Sequence, residues 1–435
     1  MPQRYAQVGL GARSWMYSLA LAGRYREHGE LVGLCDRNAG RLAHRVEWAR
    51  GAGFAPEACA PDGFEAMLAA SRADCVIVAT DDRAHDRYIC AALEAGCDVI
   101  SEKPLTIDAE RCQAIIDAVE TSGRSCRVTF NYRYAPPRSQ LKELLASGVI
   151  GEVVAVDFEW LLDTQHGADY FRRWHRRKES SGGLLVHKAT HHFDLVNWWL
   201  DSLPEAVHAT GARRFYTPET AERLGLQRRA ARCLECPEAA SCRFHLDLRA
   251  RKELAAIYLA HEGHDGYWRD RCVFSDAIDI EDSASVLVDY RNGVKLCYSL
   301  CAFMPYEGYR IVFNGTEGRL EHHCRESSYI SGDSGAGGDS PPGVLVREET
   351  RTELFPLFGD PVEIEVATGE GGHGGGDARL LEDVFAPRSE ADRPDPLGRA
   401  ADHRAGAWAC LVGIAANLAI ETGETVRPGD LVRGL

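Results

Sequence analysis

The stretch YAQVGLGARSWMYSLALAG, residues 5–23, decides the fold. Tyr5 to Val8 are strand formers, and the apolar run from Trp15 onward reads as a helix. Between them Gly9, Gly11 and Ser14 occupy the three positions of a G-x-G-x-x-G loop, with Arg13 inside it. Gly9 permits the tight turn, and Gly11 lets backbone approach an anion whose charge the free N–H groups of the helix start can hold. A second strand, ELVGLCD, ends at Asp36, 22 residues after Ser14. A carboxylate there suits a ribose diol, so the unit reads as a dinucleotide site. Asp36 favours NAD; Arg37 beside it can accept a 2′-phosphate, which leaves NADP open.

Outward from this unit the βα rhythm continues. ADCVIVAT (73–80) is a buried strand followed by the polar turn DDRAHD, which carries His85. RYICAALEAG and AERCQAIIDAVETSG read as helices, CDVISEKP and SCRVTFNYRYAP as strands. Ligands of open parallel sheets sit at the C-terminal strand ends. The loops at Gly9–Gly11, Asp36, Thr80–Arg83, Glu102–Pro104 and Asn131–Arg133 are therefore expected to line one crevice. The strand-end triplet Glu102-Lys103-Pro104, behind a glycine loop and ahead of FNYRY, resembles the glucose–fructose oxidoreductase / inositol dehydrogenase (Gfo/Idh/MocA) family. The resemblance implies an N-terminal Rossmann domain over residues 1–130. It also implies that Lys103 lies beside the nicotinamide and the substrate hydroxyl. The expected cofactor contacts are Gly9, Gly11, Arg13, Ser14, Asp36, Arg37, Thr80, His85, Glu102, Lys103 and Asn131.

From about Gly151 the pattern changes to long alternating strands: GEVVAVDFEWLLD, then EDSASVLVDYRNG, KLCYSLCAF and YRIVFNGTEGRLEH, with turns at Arg291-Asn292-Gly293 and Thr316-Glu317-Gly318. This predicts a C-terminal domain, residues 131–435, built on an open, mainly antiparallel sheet. Within it GGLLVHKATHHFDLVNWWL (182–200) holds five ionisable residues in an apolar setting. As one helix it places His187, His191 and Asp194 within about 60° of arc, with Lys188 and His192 on a neighbouring face. Three readings compete: a catalytic helix with His191 as general acid/base held by Asp194, a metal site, or satisfied histidines at a domain interface. Similar proteins carry D-x-G-x-H-x-x-D here. Aligned on Asp194, the histidine is His191, and His187 stands where the first acid would be. Lys103, His191 and His187 are the candidate catalytic groups. Lys188, His192, Asp194, Arg133, and His373 and Asp377 of the glycine-rich GEGGHGGGD segment are candidate substrate contacts. The basic, aromatic stretch QHGADYFRRWHRRKESSGG (165–183) suits a sugar or an anionic substrate.

CLECPEAASC supplies Cys233, Cys236 and Cys242, and Cys272 follows, within an insert at about 217–275 that the simplest family members lack. The C-x2-C-x5-C-x29-C spacing suits a structural zinc; an iron–sulfur cluster, disulfides or free thiols use the same residues. Residues 325–345 read as a mobile loop. The chain has 435 residues, 45% hydrophobic and 26% charged, with a formal net charge of −15. That points to two folded domains and argues against a nucleic-acid surface. No uninterrupted run reaches the ~18 apolar residues of a membrane span. The N-terminus enters a strand with no room for a signal peptide, and fifteen Cys, many in apparent core elements, fit a reducing cytoplasm. The expected activity is nicotinamide-dependent oxidation at a ring hydroxyl of a sugar, glycoside or cyclitol. The alternative is a redox-neutral glycosidase, lyase or epimerase that oxidises its substrate transiently. A homo-oligomer through the open sheet is expected, with no nucleic-acid or membrane partner.

Overall fold

A computed structural model of the chain describes residues 2–326, 349–369, 375–386 and 395–435. Six strands start the chain: β1 (Gln3–Val8), β2 (Gly29–Cys35), β3 (Glu57–Cys59), β4 (Cys75–Val78), β5 (Asp98–Ser101) and β6 (Cys126–Val128). They form a parallel sheet in the order β6-β5-β4-β1-β2-β3. Its central strands are buried on both faces, which is why they read as unbroken apolar runs. Two of the intervening helices start where a side chain takes an orphan N–H: Asn38 accepts from Arg41 N, and Asp108 from Arg111 N.

The second sheet contains β7 (Val153–Asp163), β8 (Pro204–Ala212), β9 (Ser283–Tyr290), β10 (Lys295–Met304), β11 (Gly308–Gly315), β12 (Gly318–Arg325), β13 (Glu349–Pro356) and β14 (Val362–Ile364). The order is β14-β13-β12-β11-β7-β10-β9-β8. Among the described residues only the β7–β10 pair of this sheet is parallel. Alternation is strict in β9, and the inward residues of β7, Val156, Phe158, Trp160 and Leu162, join one core with Val286, Val288, Leu296 and Tyr298.

The ends of the chain are tied together. β15 (Ala401–Asp402) adds antiparallel to β6, and the helix His403–Thr422 packs against β8 and the helix Thr190–Leu200. This helix is long and apolar enough to cross a membrane, but two thirds of its most apolar window is buried within the protein.

Two expected elements differ. The strand over Ser125–Pro136 stops at Val128, because its partner β5 ends at Ser101; Asn131–Tyr134 then form a buried 3₁₀ turn. The helix over Leu184–Leu200 is broken into Leu184–His187 and Thr190–Leu200. Most of the expected loop over 325–345 lies outside the described residues.

Candidate active site

The C-terminal ends of β1, β4 and β5 open into a cleft of about 510 Å³, closed from the other side by residues of the second sheet's domain. Its first half is built by the glycine loop. Gly9 has φ +82°, and a Cβ there would lie 2.5 Å from the Ala79 carbonyl. Only glycine lets β1 turn this closely past β4. Asp36 braces the loop: Oδ2 accepts from Leu10 N (2.7 Å), and Oδ1 from Asn38 N (2.7 Å) and Arg41 (3.1 Å). Arg13 reaches Glu102 at 2.6 Å, and Glu102 also accepts from Tyr17 Oη. Arg37, Thr80, His85 and Asn131 line the same cleft, with His85 Nδ1 2.8 Å from the Pro104 carbonyl. Ser14 does not reach the cleft wall. Its hydroxyl donates to Gly11 O, so it shapes the loop from behind.

The other half centres on Lys103, just past β5 and half-buried at the wall. Its Nζ donates to the His187 carbonyl (2.9 Å) and stands 3.4 Å from His187 Nε2. His187 Nδ1 lies 2.5 Å from Asp82 Oδ2, a residue of the turn after β4. Burial pulls the Lys103 ammonium down to about 8; Asp82 and Glu102 oppose the shift, and Lys188 adds to it. Burial also raises the Asp82 carboxyl well above its ordinary value and lowers the His187 imidazolium well below its own. A desolvated row of this kind disfavours net charge and can pass a proton along itself.

The helix break sets this geometry. Ala189 N returns to Leu184 O, and the His187 carbonyl faces Lys103. Gly413 packs against the broken turn, where a Cβ would come within 2.3 Å of the Leu185 carbonyl oxygen. His191 lies flat on Tyr132, ring centroids 4.1 Å apart, and lines the cleft. Lys188 Nζ donates to Tyr132 Oη at 3.0 Å.

Four expected substrate contacts, Asp194, Arg133, His192 and Asp377, do not line the cleft. Asp194 does not hold His191: both its oxygens pair with Arg133 (2.8 and 2.5 Å), and neither residue lines the cleft. The break rotates the second helix relative to His187, so the single-helix arc does not apply. His192 is also off the cleft, buried with Nδ1 2.7 Å from Tyr298 Oη and its ring stacked on Trp160. Asp377 belongs to the first turn of the helix Gly376–Phe385, where it accepts from Asn131 (2.7 Å) and Arg13 (3.4 Å). These bonds steady two cleft residues. His373 lies outside the described residues.

The zinc expectation finds no support among the described residues. An isolated antiparallel bridge between Arg232 and Arg271 turns Cys233 and Cys272 to one face. Cys233, Cys236 and Cys272 are near enough to act on the Cys242 thiol. Yet among the described residues no three His, Cys, Asp or Glu side chains are disposed to hold a metal ion. Cys233 Sγ turns to Arg172 and the Phe244 carbonyl instead, and burial raises the Cys242 thiol to about 11.

Several cleft residues had no individual sequence signal. Asp82 sits in a turn whose position, but not whose carboxylate, was expected to matter. His166, Tyr170, Arg173, Trp174 and His175 come from the basic, aromatic stretch, and Tyr258 and Tyr267 from the insert.

A glycine-loop Rossmann sheet whose strand ends open into a cleft closed by a second, sheet-based domain has the architecture of a dinucleotide-binding protein. Residues 3–130 match an oxidoreductase family's NAD-binding Rossmann fold, and 142–426 its C-terminal alpha/beta domain. The chain belongs to the Gfo/Idh/MocA family. It is 38% identical over 414 residues, 93% of each chain, to YteT of Bacillus subtilis, a protein named as an oxidoreductase. It is 30% identical over 196 residues to the D-glucoside 3-dehydrogenase of Escherichia coli, covering 45% of this chain and 53% of that one. The fold is shared with the WlbA dehydrogenase of Bordetella pertussis, solved with NADH and UDP-GlcNAcA: TM-score 0.64, 17% identity, 98% and 99% coverage.

Proposed function

We propose that the protein oxidises a ring hydroxyl of a sugar, glycoside or cyclitol, with NAD as cofactor. The observation that carries this reading is Lys103, an amine drawn down to about 8 at the end of β5 and backed by His187 and Asp82. The glycine loop and Asp36 fit the dinucleotide, since a Cβ at Gly9 would fill the turn that brings the loop amides to the cleft. When bound, the nicotinamide supplies the acceptor for the hydride that leaves the substrate carbon. The residues of this chain handle the proton. Neutral Lys103 takes it from the hydroxyl at Nζ and passes one to His187 Nε2, and the proton on His187 Nδ1 moves to Asp82. One proton enters the row, Lys103 returns to its neutral form, and the negative charge of Asp82 is neutralised. His191 faces the same space and can hold the hydroxyl oxygen in place. Tyr170 and Trp174 offer flat apolar faces to a sugar ring.

The test is a panel of sugars, glycosides and cyclitols incubated with NAD, reading reduced nicotinamide and the ketone product together. Reduced nicotinamide in step with product supports the reading. Altered substrate with no net reduced nicotinamide would replace it with the redox-neutral route. We further infer that copies associate through the exposed face of the second sheet, where Val154 and Leu287 are outward-facing and about half exposed. Light scattering that finds only monomer would reject this.

A further inference from the structure

The insert crosses from the second domain onto the adenosine side of the cleft. Tyr258 Oη accepts from the Ala12 amide of the glycine loop at 3.0 Å, and the His261 carbonyl accepts from Asn38 Nδ2 at 2.9 Å. A Cβ at Gly40 would come within 2.4 Å of His261 Nδ1, so glycine at that position allows the insert to close. Asp265 then reaches the two arginines beside Asp36. Its Oδ2 is 3.0 Å from Arg41 and 3.8 Å from Arg37, and it is nearly as buried as Asp36. Arg37 also faces Asp81 at 3.5 Å, and Arg41 faces Asp36 at 3.1 Å. The segment is fastened behind by Arg232, which holds both Glu262 and Asp270, and by the Arg269–Asp169 pair.

Arg83 also holds Asp81, at 3.1 Å, so three carboxylates face three guanidiniums at this end of the cleft and the charges balance. Without Asp265 the three guanidiniums would face Asp36 and Asp81 alone, one positive charge in excess, and Arg41 would have a donor to spare. A 2′-phosphate, with a charge of about −1.5 to −2, would be drawn to such a cluster. We propose that Asp265 is a specificity-determining residue: the insert completes the dinucleotide site and makes it select a ribose 2′-hydroxyl over a 2′-phosphate. Arg37, which taken alone invites NADP, is already engaged. This rests on the reading of the cleft as a nicotinamide-dinucleotide site.

Calorimetric titration of the intact protein with NAD and with NADP tests it, using wild type, Asp265→Asn and Asp265→Ala, each checked for native circular dichroism. Wild type is expected to prefer NAD. Both variants are expected to raise the NADP-to-NAD affinity ratio about tenfold or more, because a like charge facing the phosphate is removed. The isosteric Asn separates charge from packing, and a loose insert alone would weaken both dinucleotides together. If wild type binds NAD and the ratio stays within about twofold in both variants, or if wild type prefers NADP, the inference falls. If wild type binds neither dinucleotide, the reading of the cleft itself falls.

Discussion

A lysine in water keeps its proton to about pH 10.4. At the end of β5 burial brings Lys103 down to about 8. Lowering a cation's value makes the neutral amine available at lower pH, so turnover should rise with pH through about 8 and fall below it. Initial rates across pH check this. Lys103→Met should lose about a hundredfold or more in turnover while NAD affinity is kept. Asp82 raises Lys103 by its negative charge and ends the proton row. Asp82→Asn should therefore slow turnover about tenfold or more and move the pH midpoint downward; a purely structural role would leave the midpoint in place. His192 is a different case, despite its position next to His191. Its ring is buried against Trp160, so His192→Ala should cost about 2 kcal/mol or more of stability in a urea titration, with little loss in turnover per folded molecule.

At the scale of elements, the 3₁₀ turn Asn131–Tyr134 and the helix Thr190–Leu200 are joined through Arg133 and Asp194, a fully buried two-bond pair. The pair holds the two elements in register, and Tyr132 and His191 of the same elements stack at the cleft. Truncating one partner strands the other as a buried charge. Arg133→Ala should therefore cost about 3–5 kcal/mol, read as a shift in the denaturant midpoint. Asp194 belongs to this structural pair. Gly413 acts across a second contact, because its bare backbone admits the Leu185 carbonyl. Gly413→Ala should lower both melting temperature and turnover, since it pushes on the turn whose His187 carbonyl holds Lys103.

For the whole molecule, one cleft is walled by both sheets' domains, and the insert and the helix His403–Thr422 bind them together. NAD bound to the folded state alone should stabilise the protein by about 2.7 kcal/mol at a hundred times its dissociation constant. With both walls engaged, calorimetry should show one transition moving upward as a unit. A lower transition that ignores NAD would mean that the second domain does not share the site.

Much of the fold follows from local rules that a sequence states directly. Glycine spacing, period-two alternation and apolar runs bounded by turns depend on near neighbours, so the glycine loop, the strand-end places of Asp36 and Lys103 and most of the long strands were legible, whereas β3, β8, β13 and β14 were not read. What failed were inferences that carried a local period across a tertiary contact. The arc joining His187, His191 and Asp194 assumed an unbroken helix. The break arises where Lys103 from β5 meets a main-chain carbonyl and Gly413 from the last helix presses on the turn. Neither contact leaves a mark in residues 182–200. Asp82 and Asp265 were hidden for the same reason. A carboxylate in a polar turn looks the same whether it faces water or, as here, a histidine 105 residues away or an arginine 224 residues away. Local sequence can specify which residues form an element. Which charges meet depends on how elements pack, because burial makes one pairing decisive and no neighbour along the chain records it.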